Sequence, residues 1–240
     1  MARIRLFVVQ PLGTGQSIPL TGDQAHYLFA VMRLGRGDGL FLFNGRDGEW
    51  RAEVAEVGRR GGVLVCVAQT AQLRLPPDLW LLFAPLKKAR TDFIVEKAAE
   101  LGVARIVPVQ TDFTNAERIR QDRLQAHAVE AAEQCGGTFV PEVSGLVPLS
   151  RALAEWPAGR RILWCDEHLA GRPATLTGVI PGGPWAVLVG PEGGFSEAEQ
   201  ARIRAMPQVV PVSLGPRILR ADTAAVAALV LWQAALGDWV

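Results

Sequence analysis

The sequence predicts an α/β protein in which a small β-barrel precedes a mainly parallel sheet wrapped by helices. Three observations support this. Two short apolar runs near the C-terminus, Trp185–Val189 and Val209–Leu214, each stop at Gly-Pro and then enter helical sequence, as buried strands feeding helices do. From Leu79 onward, strand-like and helix-like stretches alternate, the order of a parallel sheet with helical crossovers. Before that point the chain reads as short strands separated by tight turns, the pattern of a small barrel. Two domains are expected, 1–72 and 73–240.

Taken in order, Arg3–Val8 opens the first strand and Ala25–Met32 is a short helical stretch. Leu40–Phe43 is a strand that stops at Asn44-Gly45, a hairpin signal. Glu49–Val57 alternates, with Trp50, Ala52 and Val54 on the apolar side, and Gly61-Gly62 turns the chain into Val63–Val67. Gln69–Asp78, with its Pro76-Pro77 pair, is the expected linker. Beyond it, Leu79–Ala84 is a strand, Thr91–Leu101 a helix ended by Gly102, and Ile106–Val109 a strand. Asn115–Cys135 is a helix with Leu124, Ala128, Ala131 and Cys135 on one face and Gly136-Gly137 at its stop. Arg161–Cys165 is a further strand, and Ser196 with Glu199 forms a capping box that starts a helix.

Half of the 240 residues are apolar (49%) and 20% are charged, which suits a soluble protein with a substantial core. The net charge of +1 means that any nucleic-acid contact is a local patch and not a whole-molecule field. The first 72 residues hold eight arginines against six acids. Of these, Arg33, Arg36 and Arg46 lie near turns, either facing an RNA backbone or simply solvated. His26 either stacks on a base or packs beside Tyr27. Cys66, Cys135 and Cys165 are dispersed and the histidines scattered, so no metal spacing is present and a reducing, cytoplasmic setting is expected. The apolar start is too short for a signal peptide, and the Ala224–Leu236 run has the length of a core helix rather than a membrane span.

Two glycine-bearing corners should lie side by side at the carboxyl ends of parallel strands, the edge at which open α/β sheets bind ligands. Gly193 and Gly194 let the backbone approach a ligand, but Glu192 in the same loop would repel a phosphate. No P-loop and no Gly-x-Gly-x-x-Gly is present. Amides with one acid suit a ligand carrying hydroxyls, an adenine edge and a positive charge.

Gly190-Pro191-Glu192-Gly193-Gly194, followed by Leu214-Gly215-Pro216-Arg217-Ile218-Leu219-Arg220 and Thr223-Ala224, resembles the paired signature of SPOUT-class methyltransferases. More narrowly, the chain resembles the ribosomal RNA small subunit methyltransferase E family. His26–Arg33, Gly37-Asp38 and Phe43-Asn44-Gly45 resemble its N-terminal domain, while Lys97-x-x-Glu100-Leu101-Gly102 and Glu133-Gln134-Cys135-Gly136 resemble its central helices. The resemblance implies a PUA-like RNA-binding barrel, a C-terminal SPOUT domain with a trefoil knot, and a homodimer. It also implies transfer of a methyl group from S-adenosylmethionine to N3 of a uridine in the 16S rRNA of the small ribosomal subunit. Trp232 and Leu236 belong either to the core or to the dimer interface. The family's central motif continues with arginine where this chain has Gly137; Arg118 or Arg123 is the candidate substitute.

The resemblance assigns the cofactor to Val189, Gly190, Glu192, Gly193, Gly194, Leu214, Gly215, Ile218, Leu219 and Thr223, with the strand end from Trp164 to Glu167 as a third wall. As the N3 proton leaves, negative charge spreads onto the two uracil carbonyl oxygens, so a proton acceptor and facing cations are needed. Arg217 and Arg220 are the cation candidates, or else they anchor the loop or a phosphate. Glu192 is base, ribose ligand or loop brace. Lys87, Lys88 and Lys97 either line the RNA approach or form a solvated helix face. The alternatives are a SPOUT enzyme acting on another RNA position or atom, such as a ribose 2′-hydroxyl, and a non-catalytic RNA-binding protein.

Overall fold

The computed structural model describes residues 4–58, 60–115, 118–174, 176 and 182–239. The chain forms two compact units, Met1–Leu75 with Ala132–Val140, and Pro76–Ala131 with Pro141–Val240.

The first unit contains β1 (Arg5–Phe7), β2 (Ser17–Pro19), α1 (Gly22–Ala25) running into a π-helical turn over His26–Val31, β3 (Gly39–Phe43), β4 (Glu49–Val57) and β5 (Gly62–Ala71). Its five-stranded sheet has the order β1-β3-β4-β5-β2, with only the β1–β3 pair parallel. Alternation along β3 and β4 turns Leu40, Leu42, Ala52 and Val54 into one core with Ile18, Leu28 and Leu64. Arg3, expected to open the first strand, lies outside the described residues. Asn44 does not make a two-residue hairpin. Its side-chain oxygen accepts the N–H groups of Arg46 (3.0 Å) and Asp47 (2.8 Å), which holds a longer loop before β4. Strand β5 continues to Ala71 by pairing with Glu49, so the first three residues of the expected linker are sheet. Arg5 is buried with Glu49 (2.8 Å), and its guanidinium donates to the carbonyls of Ala132 (2.6 Å), Glu133 (3.0 Å) and Gly137 (2.7 Å). Five donors on one rigid fork thus satisfy a helix's terminal carbonyls, which draws that late segment into the first unit.

The second unit contains β6 (Leu79–Phe83), α2 (Lys88–Glu100), β7 (Arg105–Gln110), α3 (Gln121–Cys135), β8 (Glu142–Val143), β9 (Val147–Pro148), α4 (Leu149–Ala154), β10 (Arg161–Cys165), β11 (Trp185–Val189), α5 (Glu197–Arg204), β12 (Val209–Val212) and α6 (Ala221–Leu236). The sheet order is β12-β10-β11-β6-β7-β8, with β9 also on β7, and every pairing is parallel. All five residues of β11 are buried, as expected of a strand covered on both faces. Trp232 on α6 is core; Leu236 is half-buried.

Several boundaries differ from expectation. Helix α2 begins at Lys88 because the Thr91 hydroxyl takes the Leu86 N–H (2.9 Å) and donates to the Leu86 carbonyl (3.0 Å), tying down the turn ahead of it. Helix α3 begins at Gln121, not Asn115: Arg118–Arg120 are non-helical, and residues 116 and 117 lie outside the described set. Leu124, Ala128 and Ala131 form its buried face, whereas Cys135 is exposed at its last turn, where Gly136 (φ +81°) ends the helix.

Candidate active site

Strands β11, β10 and β12 end together at the carboxyl edge of the sheet, and the chain leaving each of them walls a cavity of ≈ 230 Å³. The two glycine corners are not on neighbouring strands, because β10 runs between them. The strand end expected as a third wall is therefore the floor between the other two. Periodicity marks strands but carries no information on their order in a parallel sheet.

The first corner is packed. A Cβ on Gly190 would stand 2.9 Å from the Phe195 ring, which is buried edge-to-face on Trp164 with ring centres 6.3 Å apart. Gly194 adopts φ +70°, and a Cβ there would meet the Glu167 carboxylate. The capping box forms as read: the Glu199 N–H donates to Ser196 Oγ (3.3 Å) and the Ser196 N–H to Glu199 Oε2 (3.0 Å). Glu192 is ion-paired to Arg90 of α2 at 2.6 Å, and Arg90 Nε lies 3.2 Å from Asp222 at the start of α6. One guanidinium thus ties the first corner to the helix that follows the second.

The second corner is open. Gly215 has φ +110°, and a Cβ on it would meet nothing within 4 Å although the residue lines the cavity. Ser213 shapes the turn, its Oγ accepting the Gly215 N–H (3.1 Å) and donating to the Arg172 carbonyl (2.9 Å). On the floor, Asp166 caps the short 3-10 turn Glu167–Leu169, and burial pushes the Cys165 thiol up to about 12, so it stays protonated at neutral pH.

Most of the expected residues converge here. Trp164, Glu167, Val189, Gly190, Glu192, Gly194, Leu214, Gly215, Ile218 and Leu219 all line the cavity, as do Arg217 and Arg220. Gly193 and Thr223 do not line it; Thr223 is exposed on α6, while Ala221 and Ala224 face the cavity instead. Helical spacing accounts for this: 221 and 224 lie three apart on one face, and 223 is turned away from them. Phe195, Gln200 and Arg90 carried no sequence signal, since each acts through a contact that only the fold makes. Arg33 and Arg36 are exposed in the first unit, Arg33 in a left-handed conformation (φ +59°) at the exit of the π-helical turn. Lys87 and Lys88 are exposed at the start of α2, and Lys97 pairs with Glu100 at 2.6 Å. Lys88 also lines a second hollow, of ≈ 420 Å³, with Arg118, Arg120 and Arg123, the last paired with Asp92.

Comparison with known proteins fits this arrangement. A family model described as an RNA methyltransferase domain matches residues 73–233, and one described as an RNA methyltransferase PUA domain matches residues 20–65. A ribosomal RNA small subunit methyltransferase E from Synechocystis is 31% identical over 92% of this chain and 74% of its own. The chain belongs to the ribosomal RNA small subunit methyltransferase E family. A solved family member from Neisseria gonorrhoeae, bound to S-adenosyl methionine, superposes with TM-score 0.90 at 27% identity, covering 99% of this chain and all of that one. A putative methyltransferase from Legionella pneumophila in complex with the same cofactor gives 0.91 at 29% identity, covering 99% and 100%. The α/β fold with a parallel sheet and a PUA-like N-terminal part is that of the methyltransferase E family. No helix among the described residues is long and apolar enough to cross a membrane.

Proposed function

We propose that this chain methylates N3 of a specific uridine in 16S rRNA, using S-adenosylmethionine, as a homodimer with a trefoil-knotted C-terminal domain in the cytoplasm. The observation that carries the reading is the cavity walled by the chain after β10, β11 and β12, open at Gly215 and edged by two arginines. Its walls suit the cofactor. Val189–Gly190 and Leu214–Leu219 offer main-chain groups to an adenine edge, the space beside Gly215 admits a flat ring, and Glu167 and Glu192 favour the cofactor's positive charges.

Bound S-adenosylmethionine supplies a sulfonium methyl group for in-line displacement, a reaction in which positioning provides much of the rate. The chain's own task is to hold the uracil edge-on and to stabilise the charge that appears when N3 loses its proton. Arg217 and Arg220 face the cavity from the second corner and stabilise the two carbonyl oxygens as that charge develops. Glu192 is a brace: its ion pair with Arg90 fixes the first corner, and the N3 proton leaves to water. Gly193 and Thr223 support their loops from outside the cavity. Arg33, Arg36, Lys87, Lys88 and Lys97 contact the RNA backbone, and Arg118 beside Lys88 supplies the cation that Gly137 does not.

Small ribosomal subunits lacking the modification, incubated with this chain and labelled cofactor, test the reading through nucleoside mass spectrometry. One 3-methyluridine per subunit is the expected result. Label on a ribose or on another base would replace the target atom, and no label despite cofactor binding would replace the RNA.

A further inference from the structure

The cofactor reading leaves Gly193 unexplained. Both of its neighbours line the cavity but Gly193 does not, and its φ lies outside the left-handed region. Neither ligand contact nor backbone conformation calls for glycine there. Phe113 does: a Cβ on Gly193 would stand 3.2 Å from the Phe113 Cβ and 3.6 Å from its Cγ. The missing side chain is the seat of this phenylalanine.

Phe113 sits in the turn after β7, and that turn is held at several points. The Thr114 N–H donates to the Thr111 carbonyl (3.1 Å), the Thr111 N–H donates to Thr114 Oγ1 (2.9 Å), and the two hydroxyls share a bond of 2.8 Å. The Asp112 N–H donates to Glu199 Oε1 (2.9 Å), and Ser196 Oγ donates to the Asp112 carboxylate. The capping box that follows the first corner therefore also grips this turn. Even so, Phe113 is 49% exposed. A ring left in water by a turn this well fixed is preorganised for a partner.

We propose that Phe113 is a stacking platform for a nucleobase of the RNA at the methylation site, set on the rim of the methyl-donor cavity. This deepens the function proposed above and rests on it. Single-stranded RNA is commonly recognised by splaying bases onto aromatic side chains, and stacking tolerates any base because every base has a π-face. Ring and cavity are joined through consecutive residues, with Glu192 and Gly194 on the cavity and Gly193 under the ring, so a base stacked on Phe113 lies at the reaction centre.

The test compares the full-length wild type with Phe113→Ala and Phe113→Trp in methyl transfer to unmodified small subunits. Loss of one stacked base should raise KM for the subunits about tenfold in Phe113→Ala, with calorimetric affinity for the cofactor and Tm unchanged, and Phe113→Trp should restore it. An unchanged KM in Phe113→Ala overturns the proposal. So does weakened cofactor affinity with unaltered KM for RNA, which would make Phe113 a brace of the glycine corner. A lower mass in light scattering would overturn it as well, assigning the ring to contact with a second copy of the chain. If the wild type transferred no methyl group, the function above would fall, while stacking would still be read from binding of a fluorescent oligoribonucleotide, which Phe113→Ala should weaken about tenfold.

Discussion

At the corner after β11, glycine makes room for the protein's own side chains; at the corner after β12, it leaves room for a ligand. Gly190, Gly193 and Gly194 are pressed by Phe195, Phe113 and Glu167, whereas Gly215 faces open space. In sequence the two look alike, each a Gly-Pro after an apolar strand. Their difference shows that a glycine motif at a binding edge can be a packing device that shapes a wall, and that only some of its positions confront the ligand.

Substitution at the two corners should therefore fail in different ways. Gly190→Val sets a side chain against a ring that cannot yield, since Phe195 is buried on Trp164. Overpacking of this kind costs ~1–3 kcal/mol, so calorimetry should show Tm lowered by about 2–10 °C together with loss of cofactor binding. Gly215→Ala meets no neighbour and bears only backbone strain, on the order of 1–3 kcal/mol, while its methyl group enters the cavity. Cofactor affinity should fall about tenfold or more, with a drop in Tm no larger than that of Gly190→Val. Equal affinity and a larger Tm loss would reverse the assignment of the two corners. Arg90→Gln removes the tie between them. Both of its ion pairs are partly exposed and worth under ~1 kcal/mol each, so KM for the cofactor should rise roughly three- to tenfold, with Arg90→Lys recovering only part because an ammonium cannot serve both acids in the fork's geometry. The smallest effect is at the floor. With its thiol pushed up to about 12, Cys165 should resist iodoacetamide below about pH 10 while exposed Cys135 reacts.

Much of this arrangement was legible where the signal is local. The strand stop at Gly190, the Ser196–Glu199 capping box and the strand Arg161–Cys165 depend on neighbours in sequence, and the structure shows them as read, whereas β12 ends at Val212, ahead of the expected stop at Gly215. What could not be read depends on partners far along the chain. The placement of β10 between the corners, the Arg90–Glu192 pair 102 residues apart, and the stack on distant Trp164 that holds the Phe195 ring against Gly190 arise only when the sheet has formed. The start of α3 was misplaced for a related reason: the helical pattern was followed back to Asn115, but residues 118–120 stay non-helical along a basic hollow. The late segment Ala132–Val140 joins the first unit through the buried Arg5, and no composition shift announces that.

In the function proposed above, the chain leaving β10, β11 and β12 holds S-adenosylmethionine largely through its main chain. Hydrogen exchange of the full-length protein, with and without saturating cofactor and resolved by peptide, tests it most directly. Exchange should slow in Trp164–Glu167, Val189–Gly194 and Leu214–Leu219, with the sheet of the first unit unchanged. Protection that misses the Leu214–Leu219 turn, or that falls mainly in the first unit, would contradict it.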